Sequence, residues 1–140
     1  LDNSCVTPQS LQQLRDHIAR EADLVEEMAD YQSDGLETLR ERFVHEEFTG
    51  LVLRKRETME LLGKGREAMR PLTEVWIRER TTENLTDPEV EAELARLKAA
   101  FDRVRSVEDE LEAMATAYLA RSAGDQGPIE DRIRLHRSWS

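Results

Sequence analysis

Between the start signals Thr86-Asp87-Pro88 and the stop signal Ala123-Gly124, apolar residues recur at alternating steps of four and three. The series is Val90, Leu94, Leu97, Phe101, Val104, Leu111, Ala115 and Tyr118, interrupted only by Glu108. This is the a/d pattern of a heptad, which an α-helix gathers into one narrow apolar seam. Thr86 and Glu89 have the spacing of a capping box, and Leu85 with Val90 that of a hydrophobic staple. Asp87 before Pro88 is the competing cap, with proline at the first helical position. A helix from about Asp87 to Ser122 is roughly 54 Å long at ~1.5 Å per residue. It cannot cover its own seam, so the rest of the chain has to supply helices that do.

The upstream sequence offers them. Thr7-Pro8 reads as a helix start, with Val6 and Leu11 at staple spacing. Leu11, Leu14, Ile18, Ala22, Val25 and Ala29 then form a stripe that Leu24 and Met28 widen. Ser33-Asp34-Gly35 offers a break, yet the stripe continues in phase through Gln32 to Leu36, Leu39 and Phe43. Both readings stand, because one glycine inside a helix costs only ~1 kcal/mol. Phe48, Leu51, Met59, Leu62 and Met69 make the middle mainly helical, although Gly50, Gly63-Lys64-Gly65 and Pro71 weaken it. Pro71 is expected to kink or end that helix, with Leu72, Val75, Trp76 and Ile77 as an apolar patch beyond it. Asp125 to Pro128 reads as a linker, followed by Ile129, Ile133, Leu135 and Trp139 among arginines. The expected fold class is all-α: an elongated antiparallel bundle or coiled coil of about three long helices. Residues 1–123 form the helical domain, and 124–140 a mobile tail that either stays disordered, with room for a short amphipathic helix, or packs back on the bundle.

Charge narrows the function. Asp and Glu outnumber Lys and Arg by 30 to 20, and a formal charge of −10 repels a phosphate backbone, so no nucleic-acid partner is expected. No apolar run approaches the ~18 residues that a membrane span needs. The first dozen residues lack the basic start and apolar block of a signal peptide. One cysteine, Cys5, cannot form an internal disulfide. A cytoplasmic location is the corresponding expectation.

Candidate chemistry is sparse. A helical di-iron site needs Glu-x-x-His pairs, but the residues three before His17, His45 and His136 are Leu14, Arg42 and Ile133. Glu41 and His45, four apart, could share a helix face and a metal, or simply form a surface pair. Gly63-Lys64-Gly65-Arg66 has neither the spacing nor the strand of a phosphate loop. No catalytic residue, cofactor or metal is assigned. Glu108 on the seam either snorkels, pairs or marks the register, and its replacement by leucine is expected to be neutral or stabilising. Arg54-Lys55-Arg56, flanked by Glu57 and Glu60, reads as a set of intramolecular charge partners.

Three stretches of the middle carry a resemblance: Leu39-Arg40-Glu41-Arg42-Phe43, Phe48-Thr49-Gly50-Leu51, and Arg54-Lys55-Arg56-Glu57-Thr58-Met59-Glu60-Leu61-Leu62. Together they resemble the bacterial flagellar export chaperones of the FlgN-like group, which are small, acidic and all-helical. The pattern covers about Leu11 to Tyr118. It departs from the family at Gly63-Lys64-Gly65 and Pro71, where unbroken helix is the rule, and in lacking an Asn-rich motif in the last helix. The resemblance implies a cytoplasmic, non-enzymatic chaperone that holds the amphipathic helix of a flagellar hook-associated protein for the type III export apparatus. The alternative is a structural or regulatory coiled coil that self-associates through its seam, as a homodimer for instance. Met114, Tyr118 and Leu119, with Ile129, Ile133, Leu135 and Trp139 beyond the linker, are the expected partner-binding residues. Large apolar side chains on a mobile segment can fold onto a partner without a preformed core.

Overall fold

The computed structural model describes residues 6–83 and 86–122, and within them the chain is all-α. Three helices follow one another: α1 (Pro8–Glu41), α2 (His45–Thr82) and α3 (Pro88–Arg121). They run up, down and up, so α2 is antiparallel to both neighbours while α1 and α3 lie parallel. The parallel register is written in ion pairs that climb both helices together. Arg15 meets Glu89 (3.1 Å), Arg96 meets Glu26 (2.6 Å), Arg103 meets Asp30 (2.7 Å) and Arg40 meets Glu110 (3.1 Å). Such exposed pairs stabilise little individually; their sequence offsets fix which turn faces which.

Local chemistry explains where each helix begins. The Thr7 hydroxyl accepts the Ser10 backbone N–H at 3.0 Å, with Pro8 in the first turn. At α3 the Asp87 carboxylate accepts from Val90 N–H at 3.0 Å, so Asp87 is the cap and Thr86 is not. Neither internal break materialises. α1 continues through Ser33-Asp34-Gly35, and a Cβ built on Gly35 would come within 2.6 Å of Leu51 Cδ1. That glycine serves a close approach between α1 and α2 instead of a stop. α2 likewise continues through Pro71. Proline there withholds one N–H from the Glu67 carbonyl, but both residues are exposed, and water can take the donor's place. Glu41 and His45 are parted by the turn at 42–44 and share no helix face. His45 instead has its Nε2 3.9 Å from the Glu46 carboxylate.

Apolar residues fill three successive clusters. Leu14, Ile18, Trp76 and Val90 occupy one end, where Val6 and Leu11 pack on as well. Val25, Met28, Ala29, Leu62, Ala100 and Val104 hold the middle. Leu36, Leu39, Phe48, Val52, Val107 and Leu111 fill the end at the α1–α2 turn. Polar side chains lie between the clusters: His17, Glu21 and Arg66 after the first, Gln32, Lys55 and Glu108 after the second. The seam of α3 is broader than its heptad, because Ala100 and Val107 are buried beside it. Leu94, Leu97 and Phe101 are only half-buried. α1 covers one flank of that seam, and the other flank faces α2.

Candidate functional site: an open groove between α2 and α3

α1 is the spine, with α2 and α3 each packed along it and their own backbones scarcely approaching each other. Among the described residues the gap is bridged by the tips of long side chains. Lys55 reaches Glu108 (2.5 Å), the Arg66 guanidinium lies 5.8 Å from the centre of the Phe101 ring, and Arg80 meets Glu91 (2.9 Å). A groove floored by α1 runs between these bridges. Arg66 stands at its middle and borders hollows on either side. One of about 380 Å³ lies towards Arg80, with Leu14 and Ile18 from α1, Trp76 and Ile77 from α2, and Leu94 from α3 in its wall. Another, of about 230 Å³, has Met28, Met59, Phe101 and Val104 around it and ends at the Lys55–Glu108 pair. Ile77 is 56% exposed at the mouth of the hollow towards Arg80. Hollows of a few hundred Å³, mostly apolar and set between bundle helices, are the usual form of a binding site.

His17 and Glu21 stand one turn apart on α1, both buried, with His17 Nε2 3.5 Å from the Glu21 carboxylate. Arg66 donates through Nε to the other oxygen of Glu21 at 2.6 Å. Burial pushes the His17 pKa below the ordinary imidazole value; Glu21 opposes this, while Arg20 and Arg66 reinforce it. Gly65 of α2 lies beside the imidazole, where a Cβ would sit 3.5 Å from His17 Cε1, an ordinary van der Waals contact. On the outer side of α1, Arg96 takes Glu26 through Nε and Nη2 (2.9 and 2.6 Å) and also meets Asp23 and Glu93. Its hydrogen bond to Glu26 holds that carboxyl below the usual range.

Of the roles expected of Glu108, the inner end of the groove shows pairing. Its carboxylate is not a misplaced charge on the seam: it is buried, paired with Lys55, and accepts from Gln32 Nε2 at 3.4 Å. Each helix supplies one member of this cluster. Its flanking arginines are outward partners, with Arg54 stacked 4.1 Å over the Tyr31 ring and Arg56 facing Glu60 (3.7 Å).

Of the expected partner-binding residues, Met114, Tyr118 and Leu119 lie at the opposite end of the bundle from the hollow towards Arg80. They are partly buried against the cluster of Leu36, Leu39 and Phe48, and Tyr118 stacks on Phe43 with ring centres 4.5 Å apart. Ile129, Ile133, Leu135 and Trp139 lie outside the described residues, as do the linker and the tail. The groove residues Arg66, Ile77, Leu94 and Phe101 were not singled out together from sequence. The available signal was the spacing of Arg66, Arg70, Thr73, Ile77 and Arg80, which repeats the four-three step on one face of α2.

Among the described residues, no group of three or more His, Cys, Asp and Glu side chains is placed to hold a metal ion. No described helix is long and apolar enough to cross a membrane. The chain matches no family model, curated protein or solved structure in comparisons with each. Among the described residues, fold and site therefore define its class: a three-helix bundle with an open groove between α2 and α3.

Proposed function

We propose that the protein is a non-enzymatic chaperone that binds an amphipathic helix of a client protein in the groove between α2 and α3. The observation that carries this reading is that both helices rest on α1 while their backbones scarcely approach each other, and long side chains such as Lys55 and Arg80 reach across the gap. A fourth helix laid in that gap would cover Leu94, Phe101 and Ile77 and complete a four-helix arrangement, the helix-in-groove mode of recognition. The resemblance to FlgN-like proteins gives the client a class: a flagellar hook-associated protein awaiting type III export, bound in the cytoplasm.

The competing reading, self-association through the α3 heptad seam, is less well supported. Val90, Val104, Leu111 and Ala115 of that seam are already buried inside the bundle, so a second copy could reach them only by displacing α1. Mass-resolved sizing of the chain, alone and with whatever co-purifies from the native host, tests both. A monomer that forms a defined complex with one flagellar protein supports the chaperone. A stable homo-oligomer without a client supports the coiled coil. Removing residues 125–140 tests the tail: melting should be unchanged and client affinity altered.

A further inference from the structure

The lining of the groove is richer in cations than the acidic chain around it. Its walls are two facing stripes at four- and three-residue spacing: Arg66, Arg70, Thr73, Ile77 and Arg80 on α2, and Leu94, Lys98, Phe101 and Arg105 on α3. The whole chain has a formal charge of −10, yet these stripes bring five cations to the groove. The carboxylates beside them are Glu21, which Arg66 occupies, Glu74, and Asp102, which Lys98 and Arg105 share. Glu108, at the inner end, faces Lys55. Arg70 and Arg80 rest on Glu67 and Glu91. Arg70, Lys98 and Arg105 are well exposed, and ion pairs at such positions are weak enough to be exchanged for others.

Building on the groove reading above, we infer that the helix it accepts is edged with Asp and Glu. Met59 to Ile77 on α2 spans about 27 Å at ~1.5 Å per residue, room for a helix of about five turns. Its apolar stripe enters the hollows beside Trp76 and Phe101, and its two edges run past Arg70 and Arg80 on one side and Lys98 and Arg105 on the other. As the groove closes, water leaves and the pairing of client carboxylates with these cations strengthens. A Lys-edged helix meets the same cations in repulsion. The chain's own residues 123–140 balance Arg132, Arg134 and Arg137 against Asp125, Glu130 and Asp131, so they offer no net negative charge to these walls.

The test uses the intact chain and two fluorescein-labelled amphipathic 18-residue peptides with the same leucine stripe, one edged with Glu and one with Lys, read by anisotropy. The Glu-edged peptide should bind at least about tenfold tighter, with the advantage shrinking as salt shortens the Debye length. The double variant Arg70→Glu/Arg105→Glu should reverse the preference, and Ile77→Glu should abolish binding of both peptides. All three sites are exposed, and circular dichroism verifies that each variant keeps its helices. Equal affinities, or a preference for the Lys-edged peptide, would overturn the acidic-edge inference while leaving the groove standing if Ile77→Glu still abolishes binding. No binding by either peptide, or binding indifferent to Ile77→Glu, removes the groove reading and this inference with it.

Discussion

Lys55 Nζ lies 2.5 Å from the Glu108 carboxylate, deep in the bundle, on two helices whose backbones scarcely approach each other. With Gln32 of α1 this pair forms a polar layer between two apolar clusters. A buried ion pair contributes little net stability over well-packed apolar residues, but losing one partner leaves the other charge desolvated. Its geometric effect is specific. A slip of α2 or α3 by one turn would separate the charges, so the pair selects one register.

Glu108→Leu alone should therefore destabilise the fold by about 3–5 kcal/mol, reversing the expectation from the heptad pattern. Lys55→Met combined with Glu108→Leu should recover most of that loss. Urea-denaturation midpoints of the single and double variants decide it. A single variant as stable as the parent would mean that Lys55 finds an equivalent partner.

Leu111→Ala should cost about 2–5 kcal/mol, since Leu111 of α3 is fully enclosed against α1 and α2. Leu97→Ala, at the same type of heptad position, should cost clearly less because Leu97 is half-buried at the groove. Equal losses in denaturation would show that the groove is closed in solution.

Glycine-to-alanine substitutions separate close packing from open surface. Gly50 and Gly63 face open space on α2, so alanine there should add about 0.5–1 kcal/mol through helix propensity. At Gly35 the new methyl would meet Leu51 and force it aside, cancelling or reversing the gain. Thermal melts of the three variants give the ranking.

Acid should weaken the fold through His17. Its folded-state pKa is lowered, mainly by burial, so the unfolded chain takes up the proton first. The stabilising contribution is present above the unfolded value of about 6.5 and is lost as pH falls towards and through the lower folded value. His17→Gln should flatten the stability–pH curve below about pH 6.5 relative to the parent. Parallel curves for the two proteins would show that His17 does not contribute.

What the sequence determined by itself is whatever depends on neighbours along the chain. Periodicity gave away α3 to within a residue at each end, because the apolar steps, the Asp87-Pro88 start and the helix repeat are all local. The all-α class and the Thr7 cap were legible for the same reason. Other outcomes depended on residues far apart in the chain. Whether Gly35 breaks α1 was decided by Leu51 lying against it, and whether Glu108 is a defect was decided by Lys55, more than fifty residues away, reaching the same layer. The groove is the extreme case. A half-buried Leu94 or Phe101 has the same spacing as a fully buried Leu111, and only the arrangement of α2 and α3 on α1 determines which side of the seam is left uncovered. Periodicity reports that a face is apolar; which helix covers it is a property of three-dimensional packing.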